Sequence, residues 1–321
     1  MNLKSSVLIK LKSYDVAVIV FYLMLLPVQF IFSDKIESSS NWIIIDLMVI
    51  LSIISIAEFD YNKRNKFLKI VHYWYPAPLI LLTFKQIYFL IPAIRPVDYD
   101  FLLIRIDRWI FGTDPTKVLH QISFPFLTEI LQIIYGMFYL LPIILGLALL
   151  KKNKLIALDF AIFSVVYGFL LSYIGYFTLP GVGPRFTLHD FNTINEQLPG
   201  LWLTNFLREI VNTGESIPAG TPNPAAVVQR DVFPSGHTMI TLIVIYLSIR
   251  LKSRSRFFFI PVGSLLIFST VYLWYHYVID LIAGAVFMIF SVWSGKYIFN
   301  AWRRFIGQEE FDYGKVEPNG K

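Results

Sequence analysis

Long apolar runs recur along this chain, and they limit how it can fold more than any other feature. About 20 apolar residues in a helix cross a bilayer, and a helix satisfies its own backbone polar groups inside lipid. The runs are separated by short charged loops and cover residues 16–32, 42–56, 72–94, 126–150, 155–179, 237–251, 257–275 and 277–297. The sequence therefore predicts an all-α, polytopic integral membrane bundle of about eight transmembrane helices.

The composition agrees with a membrane protein. Hydrophobic residues make up 56% of the 321 residues and charged residues only 16%, whereas soluble domains carry about 25% charged residues. The chain has no cysteine, which excludes disulfides and thiolate chemistry. The net charge of +6 comes from the loops between apolar runs, so we expect membrane lipids and no nucleic acid as partners.

Four regions are predicted along the chain. They are N-terminal transmembrane helices at 1–95, an interfacial segment at 96–125, a transmembrane core with an outward loop (180–236) at 126–300, and a polar cytoplasmic tail at 301–321. Residues 101–111 are too short and too charged to cross a bilayer, so they predict an amphipathic helix in the interface, ended by Gly112. Arg105 and Arg108 on it either steer an anionic headgroup or are simply solvated.

The stretch from Asp231 to Thr238 reads Asp-Val-Phe-Pro-Ser-Gly-His-Thr and stands directly before an apolar run. Pro, Ser and Gly at this place predict a helix N-terminus, whose unpaired N–H groups and positive dipole end suit a phosphate. A phosphate could bind to these N–H groups, and a histidine in this first turn, His237, could exchange a proton with the bound anion. The alternative is an ordinary capped helix with a surface histidine.

A second motif pairs His276 with Asp280, four residues later and hence on the same helical face. A carboxylate there can orient the imidazole and stabilise its cation. The two histidines are 276 − 237 = 39 residues apart, enough for the chain to cross a membrane and return. We therefore expect His237 and His276 to meet on one membrane face.

Two further cations are candidate ligands of a phosphate. Arg185 follows a Gly- and Pro-rich turn at 180–184, and a guanidinium can bind phosphate through two hydrogen bonds. The alternative for Arg185 is a lipid-headgroup contact. Lys85 lies within an apolar run, where it would bind a phosphate or headgroup, or else reach the interface or pair with Asp46. Arg230 beside the first motif would touch substrate or form a surface ion pair.

These motifs resemble the type 2 phosphatidic acid phosphatase superfamily. Phe-Pro-Ser-Gly-His-Thr, followed by Ser269-Thr270, five residues, His276, three residues and Asp280, is similar to the last two motifs of that family over about 126–299. The resemblance implies a metal-independent phosphotransfer with no cofactor. It also implies that His276 is the nucleophile, Asp280 its orienting group and His237 the acid for the leaving group. The resemblance further implies that Ser235 and Gly236 bind the phosphate.

The chain departs from the family pattern in two places. Thr270 stands where the family has an arginine, and Lys85 and Arg95-Pro96 are too far apart to form the first family motif. Other stretches, including Gly183-Pro184-Arg185 and 107–112, resemble the branch of inositol phosphorylceramide synthases. The resemblance therefore predicts a lipid phosphate phosphatase, with a phosphotransferase that uses an alcohol acceptor as the alternative and a non-catalytic lipid-binding or transport protein as a third reading.

Basic residues predict the orientation of the chain. Clusters that include Lys4, Lys10, Lys12, Arg64, Lys151, Lys152, Arg250, Arg254, Arg303 and Arg304 all fall on one side of an eight-span chain. Positive loops face the cytoplasm, so the loops with Arg185, His237 and His276 would face outward. We therefore expect a bacterial inner-membrane protein with a periplasmic or extracellular active site.

Overall fold

The computed structural model describes residues 7–63 and 65–315. Within these ranges the regular structure is helical and no strand occurs, which confirms the predicted all-α class. Lys4 and Arg64, which belong to two of the basic clusters, lie outside the described residues. So does the end of the predicted tail, residues 316–321.

Helices follow one another with short connections in the first half of the chain and longer ones in the second half. The first half holds α1 (Ser13–Ile31), α2 (Ser39–Lys63), α3 (Lys66–Trp74), α4 (Pro76–Ile94), α5 (Asp100–Phe111), α6 (Pro115–His120), α7 (Pro125–Gly136) and α8 (Leu140–Lys151). The second half holds α9 (Leu155–Tyr176), α10 (Pro184–Thr187), α11 (Ile194–Gln197), α12 (Thr204–Gly214), α13 (Pro224–Val227), α14 (Gly236–Arg250), α15 (Arg256–Tyr272) and α16 (Val278–Phe305). Short 3-10 helices lie at Val7–Lys10, Ser33–Lys35, Phe191–Thr193 and Tyr313–Lys315.

Five helical stretches of the described chain are long and apolar enough to cross a membrane. They are α1, α2, α3 together with α4, α9 and α16, and the bent pair of α7 and α8 makes a sixth if it is one span. Helices α14 and α15 are apolar but shorter, with 15 and 17 residues. These lengths support an integral membrane protein, while the count of eight spans stays a prediction.

The predicted span at 126–150 is not one straight helix, because α7 and α8 meet at a bend of 55°. At the bend the amide of Met137 bonds the carbonyl of Ile134, and the amide of Leu140 bonds that of Met137, each three residues back. Pro142 follows. A proline has no N–H, and its ring collides with the carbonyl four residues earlier, here that of Phe138. Hydropathy alone does not register this break.

The chain forms two compact units. The first comprises residues 1–94, 146–171 and 290–321, and the second comprises 95–145 and 172–289. In the first unit the two ring nitrogens of the buried His72 lie 2.8 Å from carboxylate oxygens of Asp15 and Asp60.

The boundaries of the four regions predicted from the sequence, at 95, 125 and 300, stay predictions.

In the second unit α14 packs on α15, and α7 packs on both α15 and α12. The core between them is rich in aromatic side chains. Its buried members are Leu131, Tyr135, Ile194, Leu198, Tyr272, Leu273, Trp274 and Tyr275. This core therefore lies next to His276, which follows Tyr275 directly.

Helix α5 covers the predicted amphipathic segment and ends at Gly112, whose φ of 71° suits a residue without Cβ. Asp100 and Asp107 are buried, whereas Trp109 is 85% exposed. Arg108 forms two hydrogen bonds with the carboxylate of Asp114, at 2.6 and 2.9 Å, so it is an ion-pair partner in this structure. The location of α5 in a bilayer interface stays a prediction.

Candidate active site

The first predicted motif places His237 in the first turn of α14. The hydroxyl oxygen of Ser235, the residue before the helix, accepts a hydrogen bond from the amide of Thr238 at 3.2 Å. At Gly236 a Cβ atom would lie 2.6 Å from the hydroxyl oxygen of Tyr176, so a larger residue would force a shift. The amides of Gly236 and His237 have no acceptor within the helix, as a helix-end phosphate site requires.

The second predicted motif lies at the start of α16. Oδ2 of Asp280 accepts the amide of Tyr277 at 2.8 Å and lies 3.4 Å from Nδ1 of His276. The backbone carbonyl of Asp280 accepts the amide of Ser235 at 3.0 Å. Asp280 therefore joins the two motifs, because its side chain contacts the second motif and its main-chain carbonyl binds the first.

The imidazole of His276 points at that of His237. Nδ1 of His276 lies 2.9 Å from the carbonyl oxygen of Val232, and because a carbonyl only accepts, this contact assigns the proton to Nδ1. Nε2 then carries the lone pair and lies 3.4 Å from Nδ1 of His237. The structure thus brings together His276, His237 and Asp280, with Val232 as the nearer acceptor of the Nδ1 proton.

Burial keeps His276 uncharged. Only 3% of the residue is exposed. This burial lowers the pKa of His276 to about 3. The nearby Arg185 cation also lowers this pKa, whereas the hydrogen bond to Val232 raises it. At neutral pH the imidazole is therefore neutral, and its Nε2 is a potential nucleophile.

Arg185 lies beside this pair, and its guanidinium is already bound. The guanidinium carbon lies 4.4 Å from the ring centre of Tyr275, Nη1 donates to Oδ1 of Asn212 at 2.9 Å, and Nη2 donates to Glu215. Burial alone would lower the pKa of Arg185, but Glu215 raises it above the ordinary value. Arg185 is thus a cation near the site with an acidic partner, and its role as a phosphate ligand stays a prediction.

A stack of aromatic rings connects Arg185 with His237. The ring of Tyr275 stacks on that of Tyr135 with 4.2 Å between centroids, and Tyr135 stacks on His237 at 4.7 Å. Phe138, at the bend between α7 and α8, lies 4.2 Å from the ring of His237. The bend therefore supplies rings that restrict how the imidazole of His237 can turn.

Asp107 of α5 caps the helix that carries Asp280. Its carboxylate accepts the amides of Val278 and Ile279, each at 2.8 Å, and these are orphan donors at the start of α16. This role did not follow from the sequence, which predicted a helix in the bilayer interface over residues 101–111. The available signal was the spacing of Asp100 and Asp107, which places two carboxylates seven residues apart on one helical face.

Asp100, on the same face of α5, holds the turn before Arg185. It accepts the amides of Val182 and Gly183 at 2.9 and 2.8 Å and the hydroxyl of Tyr277 at 2.8 Å. Burial raises the pKa of Asp100, and these hydrogen bonds oppose the rise. Together the two carboxylates fix both loops that enter the site.

Lys85 lies in α4 of the first unit, half-buried. Asp46, which the sequence offered as its partner, accepts hydrogen bonds from the side-chain amides of Gln29 and Gln86. The other residues of the candidate site belong to the second unit. The predicted role of Lys85 as a phosphate ligand therefore stays a prediction.

Thr270 and Arg230 have local structural roles. The carbonyl of Thr270 accepts the amides of Tyr275 and His276, at 2.9 and 3.0 Å, so this residue supports the turn before α16. Arg230 forms an ion pair with Asp98 at 3.2 Å. An ion pair, without a named partner, was the alternative to substrate contact for this residue. Arg105 is exposed.

Within residues 7–63 and 65–315, no group of three or more His, Asp or Glu side chains is arranged to hold a metal ion. This finding concerns the described side chains alone. The metal independence that the family resemblance implies stays a prediction.

Comparison with known families supports the resemblance found in the sequence. The family model of the PAP2 superfamily matches residues 102–294, a range with most of α5, the bend, Arg185 and both histidine motifs. No curated protein and no solved structure gave a match, and the inositol phosphorylceramide synthase-like branch is not confirmed. Members of the superfamily are phosphatases or phosphotransferases, and the match spans more than half of the chain. This chain belongs to the PAP2 superfamily.

Proposed function

We propose that this protein is an integral membrane phosphatase that removes phosphate from a lipid phosphate through a phosphohistidine at His276. One observation carries the proposal. The neutral imidazole of His276 presents Nε2 toward His237 at 3.4 Å, while its Nδ1 proton is held by Val232. A nucleophile with its lone pair aimed at a second proton-transfer group is what phosphoryl transfer needs.

In the first half-reaction, Nε2 of His276 attacks phosphorus as the bond from phosphorus to the lipid oxygen breaks. The bonding electron pair leaves with that oxygen. His237, which the negative charge of the bound phosphate would hold in its protonated form, gives this oxygen a proton, so the lipid departs as a neutral alcohol. His276 becomes a phosphorylated cation, which the carboxylate of Asp280 stabilises. In the second half-reaction, neutral His237 takes a proton from water, whose oxygen attacks phosphorus and frees His276.

The phosphate would bind at the start of α14. The hydroxyl of Ser235 and the first amides of the helix, including that of Gly236, would donate to its oxygens. Arg185 would compensate for the arginine that Thr270 replaces, by exchanging Glu215 for the phosphate. Lys85 is the further candidate ligand, for the phosphate or for a lipid headgroup.

Burial of the site favours a second candidate, a phosphotransferase with an alcohol acceptor. His276 is 3% exposed and Ser235 is fully buried, and a site that excludes water favours transfer to another acceptor over hydrolysis. The chemistry at the histidines would be the same. The acceptor alcohol would replace water in the second half-reaction.

The test is phosphate release from a panel of lipid phosphates by purified wild type and His276→Ala, with EDTA present. We expect release by wild type alone, and we expect Lys152→Ala, an exposed residue between α8 and α9, to retain it. Release only after an alcohol is added, together with a phosphorylated product, would identify the transferase. Equal release by wild type and His276→Ala would contradict the proposal.

We further propose that the site faces the periplasm or the cell exterior, on the basis of the basic loops. Because the chain has no cysteine, single cysteines can be placed at two exposed positions. One is Glu196, in the connection between α9 and α14, and the other is Lys152, between α8 and α9. We expect a membrane-impermeant thiol reagent added to intact cells to label Glu196→Cys and to leave Lys152→Cys unlabelled. The reverse pattern would overturn this orientation.

A further inference from the structure

Helix α12 and the residues before it expose apolar side chains outside the membrane-length helices. This segment belongs to the connection between α9 and α14. The exposed fractions are 46% for Leu201, 86% for Trp202, 47% for Leu203, 60% for Phe206 and 53% for Ile210. Contiguous exposed apolar surface of this kind marks an interaction site.

The side chains of α12 fall into three stripes. One stripe faces the protein, through Thr204, Leu207, Arg208 and Val211. A second stripe is exposed and apolar, through Leu203, Phe206 and Ile210, and a third is exposed and polar, through Asn205, Glu209 and Thr213. At about 100° per residue, the three stripes lie about 120° apart around the helix.

The start of α12 is fixed to the N-terminal end of α7. The carboxylate of Glu129, in the second turn of α7, accepts the amides of residues 201–204 at 2.7 to 3.2 Å. It also accepts the hydroxyl of Thr204 at 2.7 Å. Because α7 begins the bent apolar pair at Pro125, this end of α7 lies where a bent span would leave the bilayer. Trp202 is therefore held near the level of a membrane surface.

We propose that the apolar stripe of α12, with Trp202 at its start, binds the bilayer interface on the side that carries the active site. A helix lying in that interface needs one face toward lipid and one toward water, and one that also packs on the protein needs a third. The stripes of α12 meet all three needs. Trp202 suits the headgroup level, because an indole ring combines apolar surface with an N–H donor.

The same helix reaches the candidate active site at its other end. Asn212 lies in its last turn, Glu215 follows it directly, and both hold the guanidinium of Arg185. The position of α12 on the membrane therefore also sets the partners of Arg185. The proposal rests on the membrane location of the chain and does not depend on the proposed reaction.

Spin labels on single cysteines test this surface in the intact chain. The labels would stand at Leu203, Phe206 and Ile210 on the apolar stripe and at Asn205, Glu209 and Thr213 on the polar stripe. The protein would be reconstituted in phosphatidylcholine–phosphatidylglycerol vesicles. Collision of each label with oxygen, which dissolves in lipid, would be compared with collision with a nickel chelate, which stays in water. Labels at Ile289, exposed on α16, and at Lys152 supply the lipid and water references.

We expect an oxygen-to-nickel collision ratio several-fold higher on the apolar stripe than on the polar stripe, with the apolar values close to that of the Ile289 reference. High nickel collision at all six positions would mean that α12 lies in water, which overturns the proposal. Low collision with both reagents on the apolar stripe would mean that another protein or a second copy covers it, which also overturns it. The collision measurement does not use phosphate release as its readout, so failure of this proposal and failure of the proposed function can be distinguished.

Discussion

Each of the two units buries a histidine beside carboxylates, and the two arrangements differ in one respect. Both nitrogens of His72 lie 2.8 Å from carboxylate oxygens, of Asp60 and of Asp15. Each nitrogen must donate a proton to form such a bond, so His72 is a fully bonded cation. In contrast, His276 bonds a carbonyl through Nδ1 and keeps the lone pair of Nε2.

The difference shows what makes a buried histidine suitable for chemistry. Burial and a nearby carboxylate are common to both sites, so neither property identifies a nucleophile. His276 differs in that its Nε2 keeps a lone pair and faces a second proton-transfer group, His237, at 3.4 Å. The His72 site therefore has the features of a structural ion cluster, and the His276 site has those of a reaction centre.

The largest expected effect separates the two histidines by activity and stability. His276→Gln removes the nucleophile and should lower turnover by about 10⁴-fold or more, with little change in melting temperature. His72→Gln should do the opposite, because it leaves a buried carboxylate without a cation, at a cost of about 3–5 kcal/mol. Phosphate release per folded molecule and thermal unfolding in detergent would measure both.

A loss of turnover in His72→Gln that persists after correction for unfolded protein would break the comparison. So would a large fall in the melting temperature of His276→Gln, because that histidine would then be holding the fold.

His237→Ala should show a leaving-group dependence. Alkoxides need protonation as they leave, whereas aryl oxides leave without it, so we expect a loss of about 10²–10⁴-fold on lipid phosphates and a much smaller loss on aryl phosphates. The measurement is kcat/KM on both substrate classes for wild type and variant. Equal losses on both classes would show that His237 is not the acid.

Asp107 should matter through position. Asp107→Ala leaves the start of α16 uncapped, a change worth about 0.5–2 kcal/mol, and we expect kcat to fall about tenfold as His276 and Asp280 lose their alignment. Asp107→Asn keeps an acceptor oxygen and should restore most of kcat. A structural role alone would lower the melting temperature in Asp107→Ala without lowering kcat in the folded fraction. Asp98→Ala, at an ion pair with Arg230, is the matched control.

The smallest effect is a pH dependence of stability at His189. Burial, with His120 and Lys117, lowers the pKa of His189 to about 4. Between pH 4 and the ordinary histidine pKa of about 6.5, the unfolded state binds more protons than the folded state. The free energy of unfolding therefore does not depend on His189 above about pH 6.5, and it falls as the pH drops from there toward 4.

His189→Phe keeps a ring against Trp274, on which His189 stacks at 3.7 Å, and it removes the titration. We expect its melting temperature to fall less between pH 7.5 and pH 5 than that of wild type. Identical falls would show that His189 does not supply this dependence.

The sequence predicted those parts of the molecule that follow from local pattern. The apolar runs predicted helices, and the spacing of His237 and His276 predicted a meeting that the structure shows. The bend before Pro142 was missed because one proline changes a span without changing its hydropathy. The roles of Asp100 and Asp107 were missed because their partners lie 82 and 171 residues away in the sequence, and no local pattern specifies such contacts.

The partners of Arg185 show the same limit. The sequence predicted Arg185 on the same side as the histidines and as a candidate phosphate ligand, and in the structure Arg185 is buried beside Tyr275. Its bonds to Asn212 and Glu215 depend on how the connection from 187 to 232 folds back. A polar, turn-rich segment does not reveal that path, because its amides have many possible acceptors.

Capture of the phosphoryl-enzyme tests the central claim most directly. Wild type, His276→Ala and His237→Ala would be mixed with a ³²P-labelled phosphate ester that has a good leaving group, quenched in alkali and mapped by peptide. We predict an alkali-stable, acid-labile label on His276 in wild type, more of it in His237→Ala, where its breakdown slows, and none in His276→Ala. Label at another residue, or full turnover by His276→Ala, would contradict the account.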